Sequence, residues 1–243
     1  MVSFYRLIGG AIALGLAASG GAFVLVKLIG LITNLALLHR WGWELPPSRS
    51  IPAGPALLPV AMAGGLVVSL LARWAPTIRG HGIPEAMEAI LTKQSRISPR
   101  TAVAKPVSAA VAIGTGGPFG AEGPIIVTGG ALGSLLGQVL PCSPAERKVL
   151  LCAGAGAGMA ATFGAPLAAV VLAVELLLFE LSLRALIPLI VATSIAGGMH
   201  SWMFEQGPLF AVPAHDFIGL RSMPAFAVLG LACGVLAAVV GKG

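Results

Sequence analysis

Long apolar runs separated by short polar breaks make up this chain, and the runs have the length of helices rather than of strands. Leu7 to Leu38 carries a single charge, Lys27, and is long enough to cross a bilayer at a tilt. Ala53 to Trp74 predicts a second span, with Gly64 and Gly65 at its middle. Val103 to Ile113 is too short to span before glycines interrupt it, and Ile125 to Leu140 restarts after them. Two half-length or tilted helices meeting inside the membrane are therefore expected. Val149 to Leu178 predicts helix again, interrupted at Phe163-Gly164-Ala165-Pro166, so that 149–180 forms a broken helical segment. Leu186 to Gly198 and Met223 to Val240 end the series. The pattern predicts an all-α integral membrane protein built as a bundle of tilted and broken transmembrane helices, with 1–243 as a single transmembrane domain.

The polar breaks add direction. His39, Arg40, Trp41, Trp43 and Glu44 form an interfacial belt, since indole rings favour the headgroup region, and the proline-rich stretch after them is a turn. The connection after Trp74 carries Arg79, Lys93, Arg96, Arg100 and Lys105, which the positive-inside rule places in the cytoplasm. Inside it, GHGIPEAMEAIL predicts a glycine-rich turn that becomes a short helix near Pro84, with Glu85 in the first turn. In CSPAERK, Ser143 or Cys142 precedes the next helix, with Pro144 and Glu146 suited to its first turn. Arg147 and Lys148 read as interfacial charges.

Composition strengthens the membrane reading. The chain is 57% hydrophobic and only 10% charged, beyond what the polar surface of a soluble domain allows. A multi-pass protein of the plasma or inner membrane is expected, with the lipid bilayer as its surroundings. The net charge of +6 comes from scattered bases with no basic stripe between aromatics, which argues for orientation in a membrane and against a nucleic-acid partner. Cys142, Cys152 and Cys233 lack metal spacing, and His200 and His215 lack the carboxylate and cysteine pattern of a zinc site, so no metal is expected. No nucleophile or cofactor loop is joined to a soluble scaffold, so neither enzyme activity nor an organic cofactor is expected.

One stretch resists a purely structural explanation. In Gly114 to Pro124, GTGGPFGAEGP, a single acid, Glu122, sits among glycines and prolines between two apolar runs. Such composition opens a helix end and exposes backbone N–H groups. Irregular backbone cannot face lipid, so it must be buried in protein or line a polar cavity. A carboxylate there is a functional candidate. The turn before Glu85 supplies a second helix start of the same kind. Together the two form half of an anion site made from backbone dipoles, without a full positive charge to trap the ion.

Three blocks, in this order and spacing, resemble the CLC family of chloride channels and chloride/proton antiporters: Gly80-His81-Gly82-Ile83-Pro84-Glu85, Gly120-Ala121-Glu122-Gly123-Pro124 and Phe163-Gly164-Ala165-Pro166-Leu167-Ala168. The resemblance implies a CLC-like bundle, mostly its first inverted-repeat half, with chloride as the transported ligand and a homodimer as the assembly. It implies Glu122 as the gating carboxylate, in a first anion-site and gating region over 80–140. Gly80, His81, Gly82, Ile83 and Pro84 on one side, and Gly120, Ala121, Gly123, Pro124 and Ile125 on the other, are the anion-binding positions. Phe163, Gly164, Pro166 and Glu175 support them.

Four departures bear on activity. The family usually has serine where this chain has His81, and arginine where it has Ala121. Proton-coupled members carry two consecutive acids after the APLA helix, and the second transfers the proton. Here they are matched by Glu175 and Leu176, and leucine exchanges no proton. The family's second half is also missing, so the sequence is expected to be an amino-terminal part of a longer transporter. Chloride channel-type transport is accordingly the preferred expectation. Chloride/proton antiport, with Glu180 as a different proton route, and a non-conducting fragment or assembly subunit are the alternatives.

Overall fold

The computed structural model describes residues 4–51, 54–55, 57–204, 219 and 222–241. His215 and Ala53 lie outside the described residues. Regular structure among them is helical: α1 (Phe4–Leu38), α2 (Leu57–Trp74), α3 (Ile83–Thr92), α4 (Pro99–Gly114), α5 (Glu122–Val139), α6 (Pro144–Phe163), α7 (Pro166–Ala173), α8 (Leu183–Met203) and α9 (Met223–Gly241). Of these, α1, α2, α8 and α9 are each long and apolar enough to cross a membrane. The chain divides into two units, 1–206 and 207–243. In the second, α9 is an apolar helix without a charged residue.

In the first unit α1 supplies a buried stripe of Leu7, Ala11, Leu14, Ala18, Ala22, Leu25 and Ile29, spaced by threes and fours as one face of a helix requires. The stripe packs on α4, α6 and α8 around Leu150, Ala153, Ala157, Ala192 and Ala196. Lys27, the single charge in α1 beyond Arg6, pairs with Glu44 and lies 5.4 Å from the Phe23 ring, which removes the cost of a lone charge at that depth.

α5 and α6 come into backbone contact at Gly129 and Gly154. A Cβ on either would lie 2.2 Å from the other's carbonyl oxygen, so the two backbones touch where any side chain would separate them. This contact fixes the middle of α5 against the centre of α6.

The turn between α3 and α4 is held from outside. Ser134 of α5 accepts from Ile97 N (2.8 Å) and donates to Ser95 O (2.7 Å), while Gln138 donates to Ile97 O (3.1 Å). Arg147 Nη1 donates to Gln94 O (3.0 Å) and its Nε to Gly137 O (3.2 Å). Arg147 is buried, which corrects its reading as an interfacial charge: its donors close carbonyls left by two chain ends, a role that needs depth rather than solvent. Lys148 fits better, bonding Leu178 O (3.0 Å) and Glu180 (3.4 Å) at a partly exposed position.

α6 starts at Pro144 with Glu146 in its first turn, as expected, and of the two candidates Ser143 rather than Cys142 precedes it. Ser143 Oγ accepts from Glu146 N (3.2 Å) and Glu146 returns a carboxylate oxygen to Ser143 N (2.9 Å). The expected break after Phe163 is present. α6 ends at Gly164, α7 follows, and a π-helical turn covers Val174–Leu178. The break leaves carbonyls of the last α6 turn without helical partners, and His200 Nδ1 lies 2.7 Å from one of them, Ala161 O.

Candidate functional site

The short helix α3 and the long helix α5 begin against one another. Gly82 precedes α3 and Gly123 is the second residue of α5. A Cβ on Gly82 would lie 2.4 Å from Gly123 O, and one on Gly123 only 1.7 Å from His81 O. Only glycine permits that approach, and Gly82 also holds φ +119°, a conformation other residues adopt only under strain. Two stretches some forty residues apart on the expected map thus become one site because neither start carries a side chain at the contact.

The two starts differ in how their backbone amides are used. At α3, the Glu85 carboxylate accepts from Gly82 N at 2.6 Å. At α5, Ala121 offers no capping side chain, and the amides of Ala121, Glu122 and Gly123 take no acceptor among the described residues. Pro124 has no N–H to offer. Ile125, grouped by sequence with the anion-binding positions, is corrected here: its amide bonds Ala121 O (3.0 Å) and its side chain is fully buried. It is the first residue far enough along α5 to reach a carbonyl one turn back, so its amide is spent inside the helix.

Glu122 is the first residue of α5 and is exposed, with no hydrogen bond or ion pair among the described residues. Beside it lies a cavity of about 610 Å³ between α2, α4 and the two turns. Gly80, His81, Gly120 and Pro124 line it, as does Phe119, while the Glu122 side chain does not. His81 is exposed, and its Nδ1 lies 3.3 Å from the Cβ position of Gly123.

Lys105 is the residue that sequence reasoning missed. Grouped there with the cytoplasmic bases, it is buried in α4, and its Nζ donates to Ile78 O and Gly80 O, both at 2.8 Å. Ser108 in turn donates to Lys105 O (2.9 Å). The ammonium therefore holds the turn before α3 in place and puts a positive charge beneath it, on the wall of the cavity. One signal was available: a lysine near the start of an otherwise apolar helix needs an internal partner.

Phe163, Gly164, Pro166 and Glu175 stand apart from this arrangement. None lines the cavity, and the break they surround packs instead on α8, where the His200 ring fills the space beside Gly164 and Gly197 faces Pro166. Glu175 is exposed in the π-helical turn, and Leu176 is partly buried against the apolar cluster that also takes Ile83, Met87 and Ile90 of α3. In the loop between α5 and α6, burial and then the Glu146 carboxylate push the Cys142 thiol up, so it stays protonated at neutral pH. Among the described residues no three His, Cys, Asp or Glu side chains come together as a metal-ligand set.

Unspent amides at a helix start, the dipole of α5 behind them and a buried ammonium nearby all attract an anion, and an exposed carboxylate stands at the same place. A family profile described as voltage gated chloride channel matches residues 63–243. The chain belongs to this family. It is 31% identical over 196 residues to a ClcB-like chloride channel protein of Ralstonia nicotianae, an alignment covering 77% of this chain and 45% of that protein. It is also 31% identical over 198 residues to the H(+)/Cl(-) exchange transporter ClcA of Vibrio campbellii, covering 77% and 42%. A crystal structure of a slow cyanobacterial Cl−/H+ antiporter superimposes with a TM-score of 0.75 at 26% identity, over 96% of this chain and 55% of that one. The chain thus spans less than half the length of these curated relatives. As a member of the family it is an integral membrane protein with the all-α, broken-helix fold of that antiporter.

Proposed function

We propose that this chain forms one side of a chloride pathway in a CLC transporter, with Glu122 as the tethered gate. The observation that carries this is the meeting of α3 and α5 at Gly82 and Gly123, which presents the unspent amides of Ala121, Glu122 and Gly123 beside an unpaired carboxylate. A carboxylate mimics the permeant anion, and either proton uptake or repulsion by an arriving chloride displaces it. Chloride is held by backbone dipoles and needs no cofactor. A homodimer is the expected assembly.

Exchange of chloride for protons takes precedence over passive conductance in this proposal. The exchange transporter of Vibrio campbellii and the cyanobacterial antiporter support it by similarity. The channel reading rests on Leu176, which occupies the position where a second acid would transfer protons. Chloride flux from proteoliposomes, measured with and without a pH gradient, tests both readings. Proton movement driven by a chloride gradient is expected, and Glu122→Gln is expected to abolish the response of chloride flux to pH. Chloride flux without proton movement favours conductance. Stable insertion with no flux favours an assembly subunit, and an unchanged pH response in Glu122→Gln rejects the gate.

A further inference from the structure

We infer that Glu85 is the inner proton-carrying residue of the exchange cycle, serving from α3 the role that Leu176 cannot serve from the π-helical turn. The inference rests on the exchange reading above. It starts from a second cavity, of about 300 Å³, enclosed by α3, α4 and α5 and lined by Thr77, Glu85, Lys93, Arg96, Thr101 and Val127 among others. Lys93 and Arg96 are exposed, so the cavity opens on the side where the bases of the α3–α4 turn cluster, which the positive-inside rule assigns to the cytoplasm. Its deep end reaches Val127, five residues along α5 from Glu122, a rise of about 7.5 Å.

Glu85 and Glu88 are the acids that line it, and Glu85 is the one bonded to the turn before α3. Thr77 and Glu85 line this cavity, whereas Gly80 and His81, between them in sequence, line the larger one beside the α5 start. The turn from Thr77 to Glu85 is thus the wall separating a route from the cytoplasm and the space around the gate. The carboxylate lies in that wall: one oxygen accepts from Gly82 N at 2.6 Å, and the other lies 1.5 Å from the Cβ position of Gly80. The hydroxyls of Thr77 and Thr101, 2.7 Å apart, give the cavity a polar side along which water can hydrogen-bond. Leu176, by contrast, lies in an apolar cluster against the other face of α3.

Charged groups lie on both sides of the turn that carries Glu85. Burial lowers the pKa of the Lys105 amine of α4, and the Glu85 carboxylate opposes that in part. Glu88, paired with Lys93 at 2.8 Å, and Arg96 line the same cavity, and His81 lies across the wall. In the proposed step a proton from cavity water forms an O–H bond on Glu85. That bond then breaks as the proton passes across the turn, by way of water beside His81, to the Glu122 carboxylate. Glu85 returns to its carboxylate, one proton has moved, and no other bond changes.

The test uses the intact protein in proteoliposomes, with chloride efflux and the proton movement it drives recorded together. Glu85→Gln keeps an acceptor for Gly82 N but cannot ionise. Its proton movement is expected to fall about a hundredfold, as for loss of a positioned acid, while chloride efflux stays within about twofold. Glu88→Gln should leave both fluxes unchanged, and Glu85→Asp should recover part of the proton movement. Coupled proton movement that persists in Glu85→Gln overturns the inference and leaves exchange standing. Equal loss of both fluxes in Glu85→Gln and Glu85→Asp assigns Glu85 a capping role alone and overturns it too. Absence of proton movement in the wild type overturns the exchange reading and this inference with it.

Discussion

At the start of α6, Ser143 and Glu146 bond each other's backbone amides, so the helix closes its own end. At the start of α5, Ala121 has no side chain to offer, and three successive residues leave their amides unspent. The start of α3 lies between these cases, closed at Gly82 by the Glu85 carboxylate. A capped start satisfies itself and has no chemistry left, whereas an uncapped one inside a packed bundle holds its dipole ready for something else. The contrast also explains why two acids in first helical turns play different parts. Glu146 is buried and paired with Arg184 at 2.9 Å, while Glu122 is exposed and has no such partner.

The strongest way to break this contrast is to separate the starts of α3 and α5. Gly123→Ala places a methyl 1.7 Å from His81 O and must push α3 from α5. A loss of about 3 kcal/mol, at the upper end for overpacking, is expected as a lowered Tm in detergent, together with loss of chloride flux. An unchanged Tm would mean that the starts do not meet at Gly82 and Gly123.

Next in size is the loss of the buried ammonium. Lys105→Met preserves length but leaves Ile78 O and Gly80 O without their donor, at a cost of about 2 kcal/mol. Chloride affinity should weaken as well, because a positive charge leaves the cavity wall. Thermal denaturation and the chloride dependence of flux check the two effects separately. Stability lost at constant affinity would limit Lys105 to holding the turn.

The smallest effect is expected at the closed start. Ser143→Ala removes one cap and should cost about 1 kcal/mol with no change in chloride flux. A change in flux larger than the change in folded protein would show that α6's start is tied to the pathway, and the contrast between closed and open ends would fail.

Much of the architecture was legible along the chain. The apolar runs marked α1, α2, α8 and α9, because a helix that meets lipid must be apolar over its whole length. The glycines and prolines around Glu122 and Phe163 marked the breaks, because these residues end helices through their own backbone chemistry. The start of α6 was legible too, because Ser143 carries its own cap and reaches Glu146 in the first turn.

By itself the sequence determined the family, the helical class and the presence of an acid at a broken helix, since each depends on residue identity and local spacing. Only the tertiary structure decided how those pieces are used. Lys105 and Arg147 looked like surface bases until carbonyls from distant segments were brought to them. Ile125 looked like part of the open start until its amide was found bonded one turn back. Glu122 stood out in the sequence as an isolated charge; that its helix begins against the turn before α3 follows from two glycines some forty positions apart, whose missing side chains are informative only once their backbones touch.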